Sequence, residues 1–546
     1  MILLTFALLS ASAVSANARN SSLKTVNLGY AKYQSDVSLA EGVTSFLGVR
    51  YAAPPVGDLR FRAPRAPSHI QGVQNATQQP NQCWQDAGEG QTAYSPYFKR
   101  DTDPEPASNE DCLFLNVHVP SSLDLSEKAR KKEDLPILVW IHGGGYDSGS
   151  NAFYPAELFV RDSGHKLISV NIQYRLAAFG FLAGKEVKRH GNLNAGLLDQ
   201  QFALEWIQKH IHKFGGDPNK VTIYGQSAGA GSVLQHLVAH GGHTEPPLFR
   251  AAMMSSPFLP FQFAYDDPVA ENVYEALAKN VSCSSSKNTL DCLRDVSPEK
   301  LIAADLGVAD ANFMGTFTMN PVVDGELIVE RPTITLRKGH TNVDTALVFS
   351  NTHEGTVFVN PPTLIADNFT LDKYISTMFP RLTHKEVNTA VSLYSDAGFT
   401  NITDTSALVM GESIFICPAY DVLDAFPSKV WKGLFAIPAG IHGEDLNYLF
   451  TNQTFYGNPT TFPNTDFQHA FSQAFFAMAT ALNPSVAPVP PVITPSWPTW
   501  SQSGLEMLFN QTEGEDPQPV VRTMKTDEQV LKRCSFWSSV ASKIAQ

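Results

Sequence analysis

The stretch VTIYGQSAGAGS, residues 221 to 232, narrows most sharply what this chain can fold into. Val221 to Tyr224 read as a buried strand, and Ala228 onward (AGAGSVLQHLVAH) as a helix with small residues in its first turn. Ser227 stands between them, flanked by Gly225 and Gly229. A G-x-S-x-G match alone is weak, since composition yields one in roughly one chain in five of this length. Between a strand and a helix it means more. The serine is then forced into a strained elbow, and the glycines two residues to either side let strand and helix pass closely. The stretch by itself fits two readings equally, a strand-to-helix elbow that presents a nucleophile and a glycine-rich turn that carries a surface serine.

A second element complements the first. In LPILVWIHGGGYDSGS, residues 135 to 150, a run of strand formers from Ile137 to Ile141 ends in His142, Gly143, Gly144 and Gly145. Four such residues in a row arise by chance in well under one chain in a hundred. Successive glycines let a loop turn its N–H groups toward one point, which a developing oxyanion requires. With the N–H of Ala228, the residue after the serine, the loop makes a candidate oxyanion hole.

A serine hydroxyl needs a base within reach, and the base needs a carboxylate to hold its tautomer. TALVFSNTHEGTVF, 345 to 358, breaks from strand-like Leu347 to Ser350 into a loop carrying Glu354. LFAIPAGIHGEDLNYLF, 434 to 450, places His442 where a loop leaves an apolar stretch. The order Ser, Glu, His is that of an α/β-hydrolase. Among 15 histidines and 53 acids, His353, Glu444 and Asp445 are rivals that pattern alone does not exclude.

Export and partners follow from the rest of the chain. MILLTFALLSASAVSANA, residues 1 to 18, reads as a cleaved signal peptide: a short apolar core, then small residues in A-x-A spacing. No later apolar run is expected to reach the roughly 18 residues of a membrane span. Sequons at Asn20, Asn75, Asn280, Asn368, Asn401, Asn452 and Asn510 suit a secreted, extracellular glycoprotein. Six cysteines, an even number for an oxidising compartment, allow fifteen pairings, and the lack of C-x-x-C argues against zinc. The formal net charge of −13 disfavours nucleic acid and anionic membranes, so a small molecule is the expected partner.

Taken in order, FLGVRYAAPPVGDLRF (46 to 61), NEDCLFLNV (109 to 117), HGGGY, NIQYRLAAFGFL (171 to 182), FGGDP (214 to 218), GQSAG, NPVVDGEL (320 to 327), NTHEGT and GIHGEDLNYLF resemble the type-B carboxylesterase and lipase family. The resemblance runs from about Val26 to Trp537. It implies one α/β-hydrolase domain over residues 19 to 546, with a large, mostly parallel twisted sheet flanked by helices. It implies Ser227 as nucleophile, Glu354 as triad acid, His442 as base, and Gly144, Gly145 and Ala228 as oxyanion donors, with no cofactor or metal. Glu444 looks like a frequent family acid just past the histidine. The implied disulfides are Cys83 with Cys112, Cys283 with Cys292, and Cys417 with Cys534.

The departures bear on substrate. Cholinesterases of the family carry glutamate and tryptophan where this chain has Gln226 and Thr102, so choline esters are disfavoured. The loop from Trp84 to Asp111 is polar and proline-bearing, unlike an apolar lipase lid. The expected activity is carboxylic-ester hydrolysis through an acyl-enzyme. An interfacially activated lipase and a non-catalytic binding module of the same fold are the alternatives.

Overall fold

The computed structural model describes residues 23–38, 41–85, 106–126, 134–395, 397–451, 455 and 460–546. The signal segment, Asn20, Asn452, Thr102 and most of the loop between Trp84 and Asp111 lie outside the described residues.

Eleven strands form the central sheet: β1 (Asp36–Ser38), β2 (Val43–Arg50), β3 (Phe114–Pro120), β4 (Leu135–Ile141), β5 (Ile168–Ile172), β6 (Gly216–Gln226), β7 (Ala251–Ser255), β8 (Thr345–Asn351), β9 (Lys429–Phe435), β10 (Leu505–Gln511) and β11 (Pro519–Lys525). Their order across the sheet is β11-β10-β9-β8-β7-β6-β4-β5-β3-β2-β1. From β10 to β5 every neighbour is parallel. Both edges are antiparallel. This is the large, mostly parallel sheet of an α/β-hydrolase.

Side chains alternate along the inner strands, and both faces are covered, as a parallel sheet requires. Ile137, Val139 and Ile141 of β4 enter one core with Val233, Leu234 and Leu237 of helix α2 (Ala228–Gly242). Leu138 and Trp140 enter the other, where α5 (Thr465–Ala481) presents Phe467, Phe471 and Phe475. That second core is rich in aromatic rings: Trp140 meets Tyr224 at 4.9 Å, and Phe349 meets Phe475 at 4.8 Å.

The position of the site follows from strand order. The chain leaves β4 for β5 on one side, then returns to build β6 on the other side of β4. Successive crossovers therefore diverge between β4 and β6, which opens a crevice at their carboxyl ends. The H-G-G-G loop follows β4 and the serine elbow follows β6, so both face that crevice.

One expectation needs correction. Helix α3 (Ile402–Gly411), a π-helical turn (Glu412–Ile416) and α4 (Cys417–Ala425) run on as one stretch, long and apolar enough by length and composition to cross a membrane. Its side chains are mostly buried inside the protein, where apolar length serves packing. Three disulfides, Cys83–Cys112, Cys283–Cys292 and Cys417–Cys534, join the pairs that the resemblance implies. Asn75, Asn280, Asn368 and Asn401 are exposed and Asn510 is half-buried. Asn401 also caps α3, its side chain accepting from the Asp404 N–H at 2.9 Å.

Candidate active site

Ser227 sits between β6 and α2 with φ 57° and ψ −128°, a backbone conformation that a side chain rarely adopts. Two bonds hold it there: its N–H donates to the Ser255 carbonyl at 3.0 Å, and its carbonyl accepts from the Gly231 N–H at 2.8 Å. The flanking glycines are sterically required. A Cβ on Gly225 would lie 2.3 Å from the Gly229 carbonyl carbon, and one on Gly229 would lie 2.0 Å from the Ile141 carbonyl oxygen. The elbow is thus pressed against the end of β4.

The glycine loop packs directly on it. A Cβ on Gly143 would stand 3.0 Å from Ser227 Cβ. Gly144 and Gly145 have φ of 109° and 67°, and the Gly144 carbonyl is turned away to accept the N–H groups of Asp147 and Ser148. Among the described residues, the N–H groups of Gly144, Gly145 and Ala228 donate to no protein acceptor. Unpaired amides gathered beside the Ser227 elbow are suited to receive an oxyanion. His142 anchors the loop: its ring stacks on Tyr174 at 4.5 Å, its carbonyl accepts from the Tyr174 hydroxyl at 2.8 Å, and burial lowers its pKa to about 4.

His442 and Glu354 meet from two loops 88 residues apart in the sequence. His442 Nδ1 lies 2.5 Å from Glu354 Oε2, and the other carboxylate oxygen accepts the Asn351 N–H at 2.6 Å. Both side chains are buried. The loop bearing Glu354 is seated on α3 so tightly that a Cβ on Gly355 would lie 1.8 Å from the Ala407 carbonyl oxygen. His442 Nε2 is not bonded to Ser227: its partner is Gln226 Nε2, at 3.2 Å.

Sequence reasoning left three rivals, and the structure separates them. His353 is exposed and turns to the Ala439 carbonyl, 2.7 Å away. Glu444 accepts the Ile441 N–H at 3.2 Å. Asp445, not Glu444, is the acid enclosed behind the histidine: Asn351 Nδ2 donates to it at 3.2 Å, and burial, reinforced by the charge of Glu354, raises its pKa to about 6. The position three residues after His442 is the only sequence signal that could have pointed to it.

A family model described as the carboxylesterase family matches residues 30–537. The chain belongs to that family. It is 29% identical to Lipase 4 of Diutina rugosa over 85% of this chain and 88% of that protein. It is 32% identical to the secreted triacylglycerol lipase LIP1 of Gibberella zeae over 64% of this chain and 62% of that protein. The crystal structure of Aspergillus niger EstA superposes with a TM-score of 0.82 at 29% identity, covering 96% of this chain and 99% of that one. As a carboxylesterase, the protein is a carboxylic-ester hydrolase.

The walls of this carboxylesterase's site are aromatic. Phe415 and Phe358 pack on the His442 ring at 4.5 and 5.0 Å, and Phe317 touches both Phe358 and Phe258. Phe317 also lies 3.3 Å from where a Cβ on Gly145 would stand. Beyond Phe317 opens a mostly apolar cavity of about 290 Å³, lined by Phe181, Phe261, Phe313, Met319 and Phe379 among others. A second cavity, of about 380 Å³, reaches Asp147 and shares Phe313 and Phe317 with the first. No local motif marks these phenylalanines, so the sequence carried no signal for them.

Proposed function

We propose that the protein is an exported serine esterase, one catalytic domain from about residue 19 onward, acting on small-molecule or lipid esters through an acyl-Ser227 intermediate. The observation that carries this reading is the 2.5 Å bond from His442 Nδ1 to Glu354, formed beside a strained, buried serine. With Nδ1 donating to the carboxylate, Nε2 is the basic nitrogen. Ser227 Oγ attacks the ester carbonyl while His442 takes its proton, and Glu354 steadies the imidazolium. The N–H groups of Gly144, Gly145 and Ala228 bind the oxyanion. His442 then protonates the leaving alcohol, and a water repeats the sequence to release the acid. The cavity beyond Phe317 offers apolar walls for one limb of the ester. Export is supported by the first 18 residues, by the three disulfides and by the name of the Gibberella zeae relative.

The deciding experiment is Ser227→Ala assayed on a short p-nitrophenyl ester. The folded variant is expected to lose roughly a factor of a million in kcat, the scale of triad knockouts. Hydrolysis near the wild-type rate would overturn the assignment. The names of the two lipase relatives favour a second reading, an enzyme switched on at an oil surface.

A further inference from the structure

The lone pair that would take the proton of Ser227 is already engaged. Gln226 Nε2 lies 3.2 Å from His442 Nε2, whereas the Ser227 hydroxyl donates to no described residue. The amide sets the polarity of the contact. An amide nitrogen can only donate, so at this contact Nε2 is the acceptor and the ring proton sits on Nδ1, facing Glu354 at 2.5 Å. Gln226 is 1% exposed, and its two oxygens, main-chain and Oε1, lie 2.6 and 3.1 Å from where a Cβ on Gly143 would stand. The side chain is wedged between the glycine loop and the histidine.

We propose that Gln226 is a positioning residue that holds His442 as a neutral acceptor, and so extends ester hydrolysis into acidic medium. The proposal rests on the reading of His442 as the base. A donor facing Nε2 stabilises the neutral imidazole and opposes the imidazolium, whose own N–H would point at it. A carboxylate at the same place would do the reverse, and a methionine would do neither. To activate Ser227 the amide has to yield Nε2 to the hydroxyl, so the contact belongs to the resting enzyme and sets how much of it is ready to react.

The other charged groups around His442 stay the same when Gln226 alone is changed. Glu354 faces it from the loop after β8, with Lys432 of β9 beyond, and Asp445 and Glu444 lie on the turn that follows it. On the glycine loop, His142 Nδ1 is bonded to the Gly143 carbonyl, and Asp147 follows Gly145. Glu412 of the π turn is bonded to Arg533 through both carboxylate oxygens. A shift between Gln226 variants therefore reports the amide.

The test is kcat/KM for a p-nitrophenyl ester from about pH 5 to about pH 8, where a histidine base titrates, in wild type, Gln226→Met and Gln226→Glu, with thermal unfolding of each. In Gln226→Met the acid limb is expected about half to one pH unit higher, the equivalent of one neutral hydrogen bond. In Gln226→Glu it is expected at least about one unit higher, the effect of a facing carboxylate. Acid limbs that coincide in all three, whatever happens to kcat, overturn the proposal. Should Gln226→Met fail to fold, Gln226→Asn, whose amide falls one methylene short, is expected to move the limb in the same direction, and an unmoved limb overturns the proposal there too. Ser227→Ala and His442→Ala run alongside. Full hydrolysis in those two would overturn the reading of the site itself, whereas their loss of activity with unmoved limbs in the Gln226 series would overturn only the role of Gln226.

Discussion

At the scale of single residues, the site places three acids near one histidine and gives each a different setting. Glu354 spends its oxygens on His442 and on the Asn351 N–H. Glu444 caps a turn. Asp445 is enclosed behind them, and burial raises it from 3.8 to about 6. A carboxyl whose folded pKa is raised binds its proton more tightly in the native state. Its stabilising contribution is complete below about pH 4 and is lost as pH rises through about 6. Asp445→Asn keeps an oxygen acceptor for Asn351 and cannot ionise. Wild type is therefore expected to lose about 2 to 3 kcal/mol relative to Asp445→Asn between about pH 4 and pH 7. Thermal unfolding of both proteins across that range checks it, and a constant difference would contradict the enclosed acid.

At the scale of elements, the elbow works because strand, loop and helix meet without side chains between them. Gly225, Gly229 and Gly143 each face a backbone or side-chain atom at 3.0 Å or closer to a would-be Cβ. Gly229→Ala would drive a methyl to 2.0 Å from the Ile141 carbonyl oxygen. It is expected to destabilise the protein by roughly 3 kcal/mol, the upper range for overpacking, and to lower kcat by moving Ser227 away from the glycine loop. Urea unfolding with a parallel assay measures both, and a variant with wild-type stability would show that the elbow tolerates the methyl. The π turn Glu412–Ile416 has a comparable role on the opposite wall. Its irregular backbone presents Phe415 to His442, while the Ile414 and Ser413 carbonyls are taken up by the Leu259 N–H and the Gln546 side chain at 2.9 Å each.

At the scale of the whole molecule, two features tie distant parts together. The Cys417–Cys534 disulfide spans 117 residues and joins α4 to α6 (Glu528–Val540), next to the buried Glu412–Arg533 pair. Replacing both cysteines with serine is expected to cost about 2 to 5 kcal/mol, the range for long loops. Denatured wild-type protein should show no thiol until reductant is added. Two titratable thiols before reduction would mean that one bridge is absent from the mature protein. The second feature is the chain from Trp84 to Asp111, tied at its base by Cys83–Cys112 and linked to the glycine loop where the Gly149 N–H donates to Gln85 at 2.9 Å. Interfacial activation needs an apolar lid face that gains about 25 cal/mol per Å² on lipid. From Lys99 to Asp111 the sequence offers only Ala107 and prolines as apolar residues. Rates on tributyrin raised through its solubility limit are therefore expected to saturate smoothly. A sharp jump at that limit would favour the lipase reading.

The sequence by itself determined the local machinery. Short runs of strand formers ending in glycine-bearing loops announced the ends of β4 and β6, because glycine lets the chain turn sharply and pack closely there. Glu354 and His442 stood at such strand ends too, and their order along the chain pointed to the fold. What pattern could not reach was anything set by contact between remote segments. The bond from Gln226 to His442 joins positions 216 residues apart, and the bond from His442 to Glu354 joins positions 88 apart. Whether Glu444 or Asp445 lies behind the histidine turns on the rotation of a single turn. The aromatic wall is drawn from four separated segments, those of Phe258, Phe317, Phe358 and Phe415. Distances of about 3 Å between such groups are decided by strand register and helix packing, which depend on the whole buried core and not on any one stretch of it.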